Sequence, residues 1–313
     1  MTGKMREGEI TSVAERVGGM IAGKLAIADY WAARPQTYAV EHGGATFLGA
    51  DHELVTVDPG SREFFEHADR TLLAWNRPLH DHDPFGRIFP YARYRGKAVL
   101  EVGCGQGGMS QMWAERGARL TAVDLNPDAI AKTRRRFELA GLAAAGHTIR
   151  QEDASALSFG DASFNYAYSW GVLHHSPDLD RSVAELARVL KPGGGFGVML
   201  YNRRSLLYGY QIAYLEGLVH AERRFLSPLE LASRYTDGHR GEGNPHTWPI
   251  TAREARRLFA RHASRLEVRV LGTDIEPLLD QVMPGLVRRI PRLILKAWAR
   301  RWGWSLWISG EKR

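Results

Sequence analysis

Chemistry first becomes visible in the stretch VLEVGCGQGG, Val99 to Gly108, where an apolar run stops at an acid and breaks into glycines. Gly103, Gly105 and Gly108 have the spacing G-x-G-x-x-G, a turn without side chains in which a ligand can touch backbone N–H groups. Alone, that spacing fits a dinucleotide fingerprint or a plain tight turn. Glu101, just ahead of the glycines, is placed to receive a cationic or ammonium group. Asp124 closes the next apolar run, 21 residues beyond Gly103, where a carboxylate can accept both hydroxyls of a ribose. Asp153, in EDAS, closes the run after that, where a carboxylate can meet an adenine amine. The set points to NAD or another adenosine cofactor. His174 and His175 follow the fourth run; as imidazoles they could act as a general base or position a second reactant, or equally cap the helix that begins near Pro177.

These side chains need a frame, and the hydrophobic pattern supplies one from Lys97 onward. KAVLEV, RLTAVDL, HTIRQED, SFNYAYSWG and GFGVMLYN read as five strands. Between them lie a helix from about Gly108 to Arg116, a second over NPDAIAKTRRRFELAG and a third over DLDRSVAELARVLKPGG. Asn126 caps the second, with Pro127 at its first position and Gly141 just past its end. In the third, Leu179, Val183, Leu186, Ala187 and Leu190 share one face. Strands alternating with helices imply a parallel, doubly wound α/β sheet whose ligands sit at the carboxyl ends of the strands. Residues 1–95 are less regular, with helix expected over Ala14–Tyr30 and Ser61–Trp75; they read as an N-terminal helical lid or support segment beside a domain spanning 96–313. Residues 203–250 interrupt the rhythm and read as an insertion after strand five. It contains the polar, glycine-rich stretch YTDGHRGEGNPHTWP, and capping boxes open helices at Ser227–Glu230 and Thr251–Glu254. LEVRVLGTDI is a sixth strand, residues 277–302 are helical and basic, and WSLWISGEKR is a final strand.

In order, VLEVGCGQG, AVDLN, EDAS, SWGVLHH and RVLKPGGGFGVMLYN resemble the successive motifs of class I S-adenosylmethionine-dependent methyltransferases, in the branch similar to ubiquinone/menaquinone and small-molecule methyltransferases. The resemblance covers residues 95–202 and the last two strands. It implies a Rossmann-like seven-stranded sheet with the last strand antiparallel, and S-adenosyl-L-methionine as cofactor. By the same resemblance Gly103, Cys104 and Gly105 line the methionine part of the cofactor, and Glu101 holds its amino group. Asp124 binds the ribose with Leu125 beside the adenine, Asp153 and Ala154 address the adenine edge, and Ser169, Trp170 and Gly171 flank the methyl donor. Cys104 is better read as a packed thiol than as a nucleophile, because no Cys-His arrangement accompanies it.

Methyl transfer asks the protein mainly to align the acceptor and exclude water; a base is needed only where the acceptor must lose a proton. The catalytic candidates are His174, His175 and Tyr201. Acceptor-binding candidates are Tyr38, Phe65 and Arg70 from the N-terminal segment, Asn202 at the end of the fifth strand, and Tyr208, Tyr235 and His246 from the insertion. In similar proteins a Tyr-Phe pair often precedes the glycine motif; here the pair is Phe64-Phe65, without a hydroxyl. Asp237, His239 and His246 raise the question of a metal, but their spacing fits no standard zinc pattern, so none is expected.

Composition limits the partners. The 313 residues carry a net charge of +7, with 44% hydrophobic and 25% charged residues, which is ordinary for a globular enzyme. The run Arg134–Arg136 and the zone Arg288–Arg301 read as solvated helix faces. Nucleic acid is disfavoured as a substrate: no recognisable RNA-binding module flanks the core, and SWGVLHH stands where amino-directed nucleic-acid enzymes carry Asn-Pro-Pro-Tyr. The basic, apolar stretch 286–304 could lie on an anionic bilayer, although Pro291 breaks it and a helix packed on the sheet edge explains the same pattern. One cysteine, no apolar N-terminal leader and no run of ~18 apolar residues lead us to expect a soluble, cytoplasmic protein acting on a small-molecule acceptor, with its oligomeric state open.

Overall fold

The computed structural model describes residues 23–33, 39–41, 44–48, 54–237, 243–282, 285 and 287–313. Residues 23–33 form helix α1. Then come three short strands, β1 (Ala39–Glu41), β2 (Gly44–Leu48) and β3 (Leu54–Val57), paired antiparallel in that order. This small sheet was not foreseen; its strands of three to five residues are too short to show a period against the surrounding aromatic and polar residues. Helix α2 (Arg62–Trp75) begins where the sequence places it, with the Ser61 hydroxyl accepting from the Phe64 amide at 3.1 Å. It packs Phe64, Phe65 and Ala68 against Ala45, Phe47 and Val57 of the small sheet.

The main sheet then builds as the pattern requires: β4 (Ala98–Val102), α3 (Gly108–Glu115), β5 (Arg119–Asp124), α4 (Pro127–Leu139), β6 (Thr148–Gln151), β7 (Phe164–Trp170), α5 (Leu179–Val189) and β8 (Leu190–Tyr201). The Lys191–Gly195 run, expected to precede the fifth strand, lies inside β8. The insertion follows, with a π-helix over Leu207–Val219 and α6 (Pro228–Tyr235). The chain closes with α7 (Ala252–Ala260), β9 (Ala263–Leu271), α8 (Ile275–Val282), α9 (Arg292–Trp302) and β10 (Ser305–Lys312). Both expected capping boxes are formed. The sheet has seven strands in the order β6-β5-β4-β7-β8-β10-β9, with β10 antiparallel to both its neighbours. This is the Rossmann-like methyltransferase arrangement.

The two faces of the sheet bury different chemistry. One is aromatic, with Phe89, Trp113, Tyr166, Tyr168 and Trp307 in mutual contact. The other is mostly aliphatic, with Leu100, Val102, Ala167, Val198, Leu200, Leu306 and Ile308 against α5 and α7. Strand alternation sorts the residues: in β8, Val198 and Leu200 face one way, Met199 and Tyr201 the other. Phe164 and Tyr166 serve opposite faces despite their even spacing, at the place where the β7–β8 register shifts.

Candidate active site

The glycine turn begins where β4 ends. Gly103 has φ +85°, a conformation open to glycine, and a Cβ there would stand 2.2 Å from Val172 Cγ2. The amides of Gly103 and Cys104 both donate to the Val123 carbonyl, at 2.7 and 3.0 Å, which pins the turn to the end of β5. The Gly105 amide donates to Asp124 Oδ2 at 2.9 Å, and Asn126 N donates to Asp124 Oδ1 at 2.9 Å. Asp124 is thus fixed by the loop it serves, while part of its surface still faces a cavity.

That cavity has a volume of about 310 Å³. Its floor is the strand ends: Glu101 and Gly103–Gly105, Asp124–Leu125, Asp153–Ala154 and Trp170–Gly171 all line it. Its roof is helix α1, through Lys24, Ile27, Ala28 and Trp31. Three expected carboxylates therefore meet in one space. Glu101 is buried, accepts from the Ser110 hydroxyl, and burial pushes its carboxyl up to about 8. Desolvation also raises Asp124, against the amides that hold it. Burial works against the charge of Asp153 too, but the Lys24 ammonium at 2.6 Å and the Ser155 amide outweigh it and hold that carboxyl below its ordinary value. Cys104 is buried, and burial raises its thiol well above the ordinary range, as suits a packed thiol rather than a nucleophile.

Several expectations need correction. Ser169 is buried and its hydroxyl donates to the Val102 carbonyl at 2.8 Å; it ties β7 to β4 and does not line the cavity. Phe65 lies in the core under α2 beneath the Arg136 guanidinium, and Arg70 is exposed on that helix. Asn202 is buried and donates to the Gly303 carbonyl at 2.9 Å, joining the end of β8 to the turn before β10. Tyr208 and Tyr235 also lie away from the cavity, the latter donating to Glu222 Oε1 at 2.5 Å within the insertion. Tyr38 and His239 fall outside the described residues. The Arg134–Arg136 run is not one solvated face: Arg134 and Arg135 are exposed, but Arg136 is 3% exposed. It makes a bidentate pair with Asp69 at 2.8 Å and donates to the Gln106 carbonyl at 2.8 Å, so it clamps the glycine loop to α2.

The three catalytic candidates cluster, but only His175 reaches the cavity wall. His174 is completely buried, its ring 3.8 Å from that of Tyr201, which in turn stacks on Trp304 at 4.3 Å. Burial lowers the His174 imidazole well below its ordinary value. The insertion folds over this group. The Trp248 amide donates to the His174 carbonyl at 2.7 Å, His175 Nδ1 lies 2.8 Å from the His246 carbonyl, and the Tyr201 hydroxyl donates to Asp237 Oδ1 at 2.7 Å. His246 thus meets the site through its backbone, away from the cavity. Helix α1 joins from the other side: the Trp31 ring is 4.9 Å from His175, and the Tyr30 hydroxyl donates to the Asp237 carbonyl at 3.2 Å.

Lys24, Trp31, Asp69 and Arg136 are the site residues that sequence reasoning missed. Lys24 meets Asp153 across 129 positions, a pairing no local spacing signals.

Comparison with known proteins agrees with this geometry. A methyltransferase-domain family model matches residues 100–198. The chain is 32% identical to phthiotriol/phenolphthiotriol dimycocerosates methyltransferase 1 of Mycobacterium ulcerans over 66% of its own length and 74% of the relative's. It is 30% identical to a ubiquinone biosynthesis O-methyltransferase of Xanthomonas oryzae pv. oryzae, over 64% and 86% of the two chains. Its fold is similar to that of geranyl diphosphate C-methyltransferase from Streptomyces coelicolor, with a TM-score of 0.54, 18% identity, and coverage of 93% of this chain and 98% of that one. The glycine turn, the carboxylates at the strand ends and the seven-stranded sheet agree with these matches, and the chain belongs to the class I S-adenosylmethionine-dependent methyltransferases, with S-adenosylmethionine as its cofactor.

Proposed function

We propose that the protein transfers the methyl group to a small-molecule acceptor bound in the capped cavity beside His175. The observation that carries this reading is the roof: α1 lies over the strand ends through Ile27, Ala28 and Trp31, which leaves a mostly apolar, partly covered cavity beside His175. The relatives are named for phthiotriol and phenolphthiotriol dimycocerosates and for ubiquinone biosynthesis, which supports an organic acceptor rather than a nucleic acid.

Bound S-adenosylmethionine supplies an electrophilic methyl group on a sulfonium. The chain does the rest. Glu101 receives the amino group, and Asp124 holds the ribose while its own position is set by Gly105 and Asn126. Gly103, Cys104 and Gly105 accommodate the methionine part, with Leu125 and Ala154 against the adenine. Asp153 serves the adenine edge once Lys24 yields it, since both its oxygens are engaged by Lys24 and Ser155. Trp31, Trp170 and Ile27 exclude water and give the acceptor an apolar bed. His175 contacts the acceptor; His174 and Tyr201 are positioning residues behind it. His175→Ala is expected to lower turnover with labelled methyl donor at least about 10-fold while leaving S-adenosylhomocysteine affinity within about 3-fold. Equal losses in both quantities would make His175 part of the cofactor pocket instead.

A second reading, action at a membrane surface, is favoured by one observation. Helix α9 packs on the molecule through Leu295 but leaves Leu293 80% exposed, together with Ile294 and Trp302, beside Arg292, Arg300 and Arg301. Among the described residues no helix is long and apolar enough to cross a membrane. Co-sedimentation with anionic vesicles, lost in Leu293→Asp, supports this reading; equal recovery of both proteins in the supernatant removes it.

A further inference from the structure

The cluster under the insertion contains a contradiction of charge. Thr247 Oγ1 donates to Asn244 Oδ1 at 2.7 Å, so it can only accept from His175 Nδ1, 3.2 Å away. The His246 carbonyl, 2.8 Å from the same nitrogen, can also only accept. Nδ1 of His175 therefore carries a hydrogen, and with that single hydrogen on the ring Nε2 presents a lone pair. That lone pair faces Asp237 Oδ2 at 3.4 Å, and neither atom has a hydrogen-bond partner. Next to them both ring nitrogens of His174, completely buried, also lack one. One atom from each of the three side chains lies within 4.8 Å of the others. Two imidazoles and a carboxylate oxygen that can each offer an electron pair converge here without hydrogen-bond partners, and such an arrangement is costly unless a cation joins them.

We propose that His174, His175 and Asp237 bind a divalent first-row transition ion of the zinc type, beside the methyl-transfer cavity. Two imidazoles and one carboxylate are the donor set such ions prefer over magnesium or calcium, which take oxygen. A tetrahedral zinc with ligands at ~2.1 Å spaces them roughly 3.4 Å apart, matching His175 and Asp237. The supporting contacts are also in place. His175 donates its other N–H to a backbone carbonyl, and the second oxygen of Asp237 accepts from Tyr201. Three protein ligands leave a fourth position open, and His175 is common to this site and the cavity wall. The sequence raises a metal at Asp237 only with His239 and His246 and does not join it to His174 and His175, because Asp237 follows His175 by 62 positions, in a spacing no standard motif contains. The ion would also join the insertion, through Asp237, to the segment after β7 that carries His174 and His175.

The test uses the full chain, stripped with a chelator and dialysed. Titration with Zn2+ is expected to show one strong site by calorimetry, and Co2+ is expected to give the intense visible bands of a tetrahedral or five-coordinate nitrogen–oxygen site. Asp237→Asn, which keeps the side chain's shape, and His174→Gln are each expected to weaken Zn2+ binding at least roughly 10-fold. Absence of Zn2+ uptake by the wild type overturns the proposal and leaves a proton shared by His175 and Asp237 as the missing cation. Uptake with the same affinity in both variants overturns it as well, since other histidines would then be responsible. Should the buried His174→Gln fail to fold, Asp237→Asn together with the wild-type Co2+ spectrum decides. S-adenosylhomocysteine binding measured in parallel reports on the cofactor reading, which can fail without touching this one.

Discussion

At the scale of single residues, the cofactor end of the site is an electrostatic device with a titratable part. Glu101, pushed up to about 8 by burial, is protonated at pH 7 while the cavity is empty. An ammonium group placed beside it favours the carboxylate and lowers that value, so binding at pH 7 must release a proton. The sign follows: affinity for S-adenosylmethionine rises between pH 6 and pH 7, below the ~7.8 at which an α-amino group is half deprotonated. Calorimetry at pH 7 in two buffers of different ionisation enthalpy is expected to show this release, and Glu101→Gln to abolish the buffer dependence. A wild-type heat independent of buffer would mean that Glu101 does not meet the ammonium group.

At the scale of elements, the glycine loop is held by helices that never touch it in sequence. Arg136 projects from α4, pairs with Asp69 of α2, and donates to the loop carbonyl of Gln106. Arg136 is buried while Asp69 keeps 32% of its side chain exposed, so removing Arg136 costs the loop and Asp69 their hydrogen bonds and leaves a buried space, rather than a fully desolvated charge. Arg136→Ala is expected to cost about 3 kcal/mol in a denaturant titration, with an unchanged slope. A loss below about 1 kcal/mol would show that the loop holds without the clamp. Nothing in the run Arg134–Arg136 distinguishes its third member, because burial is decided by α2 packing across 67 positions.

At the scale of the whole molecule, local chemistry was legible and assembly was not. Gly103, Asp124 and Asp153 lie at or just past strand ends, and their order with the intervening helices made the parallel α/β sheet and an adenosine cofactor legible from the residues; S-adenosylmethionine and the antiparallel closing strand came from the family resemblance, and the sheet order agrees. Ser169 lies in the right motif, but strand alternation turns it away from the face of Trp170, which lines the cavity, and a one-residue difference in facing is invisible without the register. Tyr201 shares the face of Trp170 but is taken up between His174 and Trp304. Lys24, Trp31 and Asp237 come from segments far from the motifs and enter only when α1 and the insertion fold over the sheet. The small sheet of β1–β3 was hidden by its brevity.

The central claim is that Asp124 anchors the ribose of S-adenosylmethionine in this cavity. Calorimetry with S-adenosylmethionine and S-adenosylhomocysteine, on wild type and Asp124→Ala, tests it most directly. The account predicts binding of both ligands by the wild type and a loss of at least roughly 10-fold in the variant, as expected for removing a charged hydrogen-bond acceptor. Equal affinity in the two proteins, or no binding by the wild type, would contradict it.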